Sequence, residues 1–411
     1  MIIRSITGGF NFNNQDKSYI ENKIIRFFDS SNNHFRNNDI KVRTNRLNLP
    51  SFSVNDINDV EKVKSTIKWV SAFSNYNGIR WLCLPISTMN INTNYPHIIH
   101  DTTLEIVKRY KNVFINFIVA DNDMISNEGI KIVSKFIKSS SILSNNGYDN
   151  FRIGASFNVK PNSPFFPFTF NDGYDNFSLA LELVSLFQDI ALKNMDLLEF
   201  RENVINSLLP KIKKINKLCL EIEHKTIMRF AGIDLSLAPF PDNDKNSVAK
   251  LIELLGADSF GSNGTLFLTA FLTDIIKEII YKSGIRSIGF NGVMYSLLED
   301  TRLSKANNTK EYSIDSLISY STVCGCGIDM VPVPGNIFDD EITSIMLDIA
   351  AISCKIKKPL GVRILPIPEK HENEFTDFSY DFLSNTRIKN IKNQTFSGEN
   401  FPDNFSFLSD K

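Results

Sequence analysis

Short apolar runs and helical periods alternate along almost the whole chain, and no other feature constrains its fold as strongly. Residues 2–9, 40–49, 79–85, 113–120, 151–159, 227–237, 286–294 and 359–365 read as strands. Residues 17–28, 56–73, 102–108, 129–143, 247–255, 265–281, 312–319 and 342–355 read as helices. Ile20, Ile24, Ile25 and Phe28, for instance, fall at helical spacing, whereas residues 40–49 alternate and stop at Pro50. Strand–helix–strand units imply parallel strands with crossover helices. Residues 176–220 read as the longest helical tract, broken near Pro210. A count of roughly nine or ten strands exceeds the eight of the common barrel and suits a large open sheet or a ten-stranded α/β barrel.

No Gly/Ser- or Pro-rich spacer divides the chain. Residues 1–370 are therefore expected to form a single α/β barrel domain, and residues 371–411 an extended polar C-terminal tail. Within the 411 residues, 42% are hydrophobic and 22% charged, as in a soluble globular protein. The 45 basic and 46 acidic residues leave a net charge of -1, which gives nucleic acid no electrostatic footprint. No run approaches the roughly 20 apolar residues that span a bilayer, and the first residues read as a strand rather than a signal peptide. Five cysteines without a framework spacing fit reduced thiols, so the expected location is cytoplasmic. A homodimer is the expected assembly.

Residues 320–335 concentrate chemistry: three glycines and two prolines surround Cys324, Cys326 and Asp329. Gly325 and Gly327 permit a sharp turn, while Pro332 and Pro334 keep the exit extended. Cys324 is a candidate nucleophile on this loop, set against a small buried thiol. Asp234, Glu299, Asp300 and Asp329 each follow an apolar run, and in a parallel fold they would converge at the strands' carboxyl ends. There they would need a divalent cation, an arginine or shared protons; for each alone, helix capping is the plainer role. Arg4, Arg46, Arg229 and Arg363 lie within apolar runs, where a charge must pair internally or grip an anionic substrate. The run 161–169, with Pro161, Pro164 and Pro167 among Phe165, Phe166 and Phe168, reads as either a site wall or a core plug.

Several motifs together resemble the domain of unknown function 711 family. They include Arg4-Ser5-Ile6-Thr7, Pro164-Phe165-Phe166-Pro167, the stretch from Gly232 through Asp234 to Pro241, Leu298-Glu299-Asp300, and the stretch from Val323 to Gly335. The resemblance implies a ten-stranded α/β barrel similar to those of pyruvate formate-lyase and anaerobic ribonucleotide reductase. Those enzymes use a cysteine on a loop inside the barrel, but the Arg-Val-x-Gly-Tyr type of glycyl-radical motif is absent near this C-terminus. The resemblance brings no reaction with it. Two functions stay open: an enzyme acting on a small polar or anionic metabolite at a carboxylate-lined mouth, and a non-catalytic ligand-binding protein on the same fold. A divalent cation is the candidate cofactor and a small molecule the expected partner.

Overall fold

A computed structural model describes residues 1–12, 16–91, 97–193, 195–241, 244–391, 396 and 402–407. The described residues form a mixed α/β fold around one sheet. Its strands are β1 (Ile2–Gly9), β2 (Lys41–Val42), β3 (Asn45–Asn48), β4 (Trp81–Ser87), β5 (Val113–Asp121), β6 (Met124–Ser126), β7 (Ile153–Phe157), β8 (Asn176–Glu182), β9 (Arg229–Asp234), β10 (Gly327–Pro334), β11 (Leu360–Ile367) and β12 (Asn404–Ser406). The helices are α1 (Lys17–Arg36), α2 (Ile57–Tyr76), α3 (His97–Arg109), α4 (Asn127–Ser141), α5 (Val184–Ala191), α6 (Leu197–Thr226), α7 (Val248–Leu254), α8 (Thr265–Ser283), α9 (Thr301–Asn308), α10 (Ile314–Tyr320) and α11 (Asp339–Lys355).

Along the sheet the main order is β10-β11-β7-β5-β4-β3-β1-β8-β9. Most neighbours are parallel, as strand–helix alternation requires, but β1 pairs antiparallel with β8, and β7 antiparallel with β11. The uniformly parallel sheet expected from the alternation therefore becomes parallel groups of opposite direction. Among the described residues no continuous ladder closes the sheet between β9 and β10. Residues 287–296 lie in that gap, with isolated bridges from Ser287 and Val293 to Ile233 and Leu237 and from Ser296 to Asp329.

Three local expectations differ from the structure, the first being that residues 286–294 make isolated bridges instead of the expected strand. Residues 176–182 are a strand, not the start of a helix: Phe177, Leu179 and Leu181 alternate with Ser178, Ala180 and Glu182, a period of two. Helix α6 runs through Pro210 without a break. Pro210 is exposed, so the carbonyl it leaves without a partner can reach water. Meanwhile Val204, Leu208, Ile212, Ile215 and Ile222 keep the other face buried.

The loop 161–169 runs inside the curve of the sheet. Asn48 Nδ2 donates to Thr169 Oγ1 at 2.8 Å and Asn116 Nδ2 to the Thr169 carbonyl at 3.0 Å. Phe165 and Phe168 pack with Ala180, Ala238, Phe290, Met294 and Cys326. The loop approaches so closely that a Cβ on Gly154 would lie 2.5 Å from Pro167 Cγ. Beyond β11, residues 371–391 return over one end of the sheet. Phe378, Leu383 and Ile388 are buried there with Phe114, Phe151, Phe166 and Leu298.

Candidate functional site

A cavity of about 70 Å³ opens where that end of the sheet meets the inserted loop. Its charged lining is Arg4 from β1, Arg46 from β3, Asp329 from β10, Arg363 from β11, and Glu299 just before α9. Trp81, Phe114, Phe151, Phe165, Phe166 and Phe168 supply aromatic walls, and Met294, Ser296 and Cys326 complete one side. Because neighbouring strand groups run in opposite directions, Arg4, Arg46, Trp81 and Phe114 sit toward the amino ends of their strands, while Ala238 lies beyond the carboxyl end of β9.

The centre of this lining is a buried ion cluster. Arg363 Nε donates to Asp329 Oδ1 at 2.6 Å and its Nη2 to Asp329 Oδ2 at 2.9 Å, a two-pronged pair. The same Nη2 donates to Glu299 Oε2 at 3.0 Å, and Ser296 Oγ donates to that oxygen at 2.6 Å. Burial raises the Asp329 pKa, with Arg363 opposing it. Burial works against the Arg363 charge, but Asp329 and Glu299 outweigh it and hold the guanidinium pKa above its usual value. A β-bulge between Ile328 and Val331, with Met330 at a left-handed φ of 53°, allows Asp329 and Met330 in succession to join the site and its apolar surround.

Arg4 and Arg46 differ from Arg363. Arg4 Nη1 donates to the carbonyls of Pro239 at 2.9 Å and Ala238 at 3.4 Å. Arg46 donates to Thr44 Oγ1 at 3.3 Å and to the Pro164 carbonyl at 3.4 Å, and its guanidinium lies 5.3 Å from the Phe166 ring centroid. Among the described residues neither has a carboxylate within ion-pair distance. Burial pushes the Arg46 pKa down to about 9, Arg4 adds repulsion, and Glu299 offsets only part of it. The cavity therefore presents three guanidiniums against two carboxylates.

The remaining candidates lie outside the lining. Asp234 is fully buried at the end of β9 and accepts from the backbone N–H groups of Ser236, Phe290 and Asn291 and from Ser236 Oγ. It fixes the 287–296 segment to β9, and burial pushes its pKa up to about 6 against those four hydrogen bonds. Asp300 accepts from Ser247 Oγ and from the N–H groups of Val248, Ala249 and Leu303, which ties α7 to α9, and burial raises its pKa. Arg229 pairs with Asp172 at the surface. Cys324 is buried outside the lining, while Cys326 belongs to it. The aromatic wall residues Trp81, Phe114 and Phe151 were not singled out from sequence; each sits at the start of a strand-like run, a position that carries no chemical signal by itself. The 161–169 loop both lines the cavity and fills the core behind it.

Among the described residues no three Cys, His, Asp or Glu side chains gather as a metal-ligand set. A cation bridging Glu299 and Asp329 would have to displace Arg363. A larger cleft of about 660 Å³ on the outer face, lined by His97, His100, Lys135 and Lys138, contains none of the candidate residues.

The family described as "Uncharacterised ACR (DUF711)" matches residues 1–385. The chain belongs to this DUF711 family. Relatives named UPF0210 protein include one from Pyrobaculum arsenaticum, 30% identical over 168 residues, covering 41% of this chain and 37% of the relative. Another, from Oenococcus oeni, is 32% identical over 169 residues, covering 41% of this chain and 38% of the relative. A third, from Methanosarcina mazei, is 29% identical over 211 residues, covering 51% and 46%. The chain thus spans less than half the length of each of these relatives. Among the described residues no helix is long and apolar enough to cross a membrane.

Proposed function

We propose that this DUF711 protein is an enzyme acting on a small anionic metabolite bound in the Arg4/Arg46 cavity. The observation that carries this reading is the pair of guanidiniums, Arg4 and Arg46, facing the cavity without carboxylate partners among the described residues. A partly buried cation without a counter-charge is costly, and an anion bound between the two would supply one. At about 70 Å³ the cavity is well below the roughly 300 Å³ at which drug-sized ligand pockets begin, so a small acid fits and a nucleotide does not. Glu299 is the acid/base group, because only one of its oxygens is engaged and it faces the cavity. Asp329 and Arg363 position it. In this reading residues 287–296 act as a tenth stave between β9 and β10, giving a ten-stranded barrel of the pyruvate formate-lyase type with the site at one mouth, in a cytoplasmic protein that forms a homodimer.

The test is calorimetric titration of the purified chain with phosphate, sulfate, acetate, oxalate and malonate. Saturable binding of at least one, lost in Arg46→Met, supports the reading; no binding of any, or equal binding by the variant, removes it. The competing reading is a binding protein without chemistry. Glu299→Gln separates the two once a ligand is in hand: turnover falls roughly 100-fold or more if Glu299 moves a proton, whereas ligand affinity alone is retained in either case.

A further inference from the structure

We propose that Cys324 and Cys326 form a reversible dithiol/disulfide couple that a small hydroperoxide oxidises through the cavity. Cys326 is on the cavity wall and Cys324, two residues earlier on the same turned loop, is buried outside the lining and influences it electrostatically, so an oxidant entering the cavity meets one sulfur with the second as its neighbour. The loop that holds them is fixed from both sides. The Gly325 N–H donates to the Val293 carbonyl at 2.5 Å, and a Cβ on Gly292 would come within 2.8 Å of Gly325 Cα. The Tyr295 N–H donates to Cys326 Sγ at 3.2 Å, a contact that strengthens when the sulfur is a thiolate.

The neighbouring Cys326 side chain is the main cause that lowers the Cys324 pKa, with Lys358 assisting against burial, while Cys324 and burial together hold Cys326 well above the usual thiol range. Of the two, Cys324 gives up its proton more readily and Cys326 keeps its own. Lys358 has no carboxylate partner among the described residues; its Nζ donates to the Ser321 carbonyl at 3.2 Å, and burial lowers its pKa while both cysteines partly oppose that shift. Cys83, Cys219 and Cys354 are buried elsewhere, each without a second thiol.

The chemistry balances as a two-electron exchange. The Cys324 thiolate takes the Cys326 thiol proton as the Cys326 sulfur attacks the terminal oxygen of the hydroperoxide. The O–O bond breaks and the alkoxide leaves with a proton as alcohol, or as water from hydrogen peroxide. Cys326 is then a sulfenic acid. Cys324 attacks its sulfur, the S–O bond breaks, and hydroxide takes the thiol proton to leave as water. The dithiol is oxidised, the hydroperoxide is reduced, and an external thiol restores the pair. The couple needs the cavity but no bound anion, so it stands or falls independently of the anion reading.

The experiment treats the full chain with hydrogen peroxide, alkylates the remaining thiols and maps the peptides. The wild type is expected to lose two hydrogens, gain a Cys324–Cys326 link that dithiothreitol reverses, and keep Cys83, Cys219 and Cys354 free. Cys324→Ser should stop at a sulfenic acid on Cys326 that dimedone traps. Cys326→Ser should oxidise at Cys324 at least about tenfold more slowly than the wild type, as a thiol without cavity access does. A wild type that carries Cys326 to sulfinic acid without a link, or that oxidises no faster than its other cysteines, overturns the proposal. The wild-type map alone decides this even where a variant fails to fold.

Discussion

Arg363→Met and Arg46→Met should affect stability very differently, although both remove a guanidinium from the same cavity. In Arg363→Met, Asp329 loses contacts at 2.6 and 2.9 Å and Glu299 loses one at 3.0 Å. Asp329 is 6% exposed, so its carboxylate is left buried without a cation. Breaking a buried pair from one side costs about 3–5 kcal/mol. In Arg46→Met the lost contacts are long hydrogen bonds to Thr44 and Pro164 at 3.3 and 3.4 Å and a ring contact with Phe166. Their loss is offset by relief of burial and of the repulsion from Arg4, the two leading causes of its lowered pKa. Methionine also keeps most of the apolar stem's packing. The net change expected for Arg46→Met is within about 1 kcal/mol of zero, with either sign. Urea unfolding at pH 7, extrapolated linearly, measures both. An Arg46→Met loss as large as that of Arg363→Met would refute the distinction, because Arg46 would then be a structural ion and not an open anion seat. A loss below about 1 kcal/mol for Arg363→Met would refute the ion-cluster account.

Three further outcomes follow from the same geometry. Asp234 has a folded pKa of about 6 against an ordinary 3.8, so the folded state holds the proton more tightly and the group's contribution to stability is greatest below pH 3.8 and is lost as pH rises through 6; the wild type measured against Asp234→Ala by urea unfolding at pH 4 and pH 7 should show this, and a difference growing with pH would contradict it. Asp300→Ala removes four accepted hydrogen bonds joining α7 to α9 and should cost about 2–4 kcal/mol; a loss under about 0.5 kcal/mol in the same assay would mean that water replaces the carboxylate. Gly292→Ala sets a Cβ 2.8 Å from Gly325 Cα and should cost about 1–3 kcal/mol while raising the alkylation rate of Cys326, since the cysteine loop must move; unchanged stability together with an unchanged alkylation rate would refute the close packing.

The candidate residues were legible by type more than by role. A charge inside an apolar run marked Arg46 and Arg363 alike, yet only Arg363 carries two carboxylates while Arg46 has none among the described residues. Asp234 and Asp300 had the same local pattern as Asp329, and both turned to backbone N–H groups instead of the cavity. That choice depends on which loop passes each carboxylate, and it brings in partners more than fifty residues distant in sequence. Of the cysteine loop, it is Cys326, two residues beyond the candidate Cys324, that lines the cavity, a placement set by the turn of the loop.

By itself the sequence determined the alternating elements, through apolar periods near two and near 3.6 and the helix caps that bound them. It also determined the chemical inventory of the site and the rigid proline–phenylalanine loop. Only the tertiary structure decided the opposite directions of neighbouring strand groups and the persistence of α6 through Pro210. It also brought Arg4, Arg46, Glu299, Asp329, Arg363 and Cys326 to one cavity. The physical reason is range. Period and capping act within a few residues, whereas strand direction and the pairing of buried charges are set by long-range packing, which must satisfy every buried polar group at once.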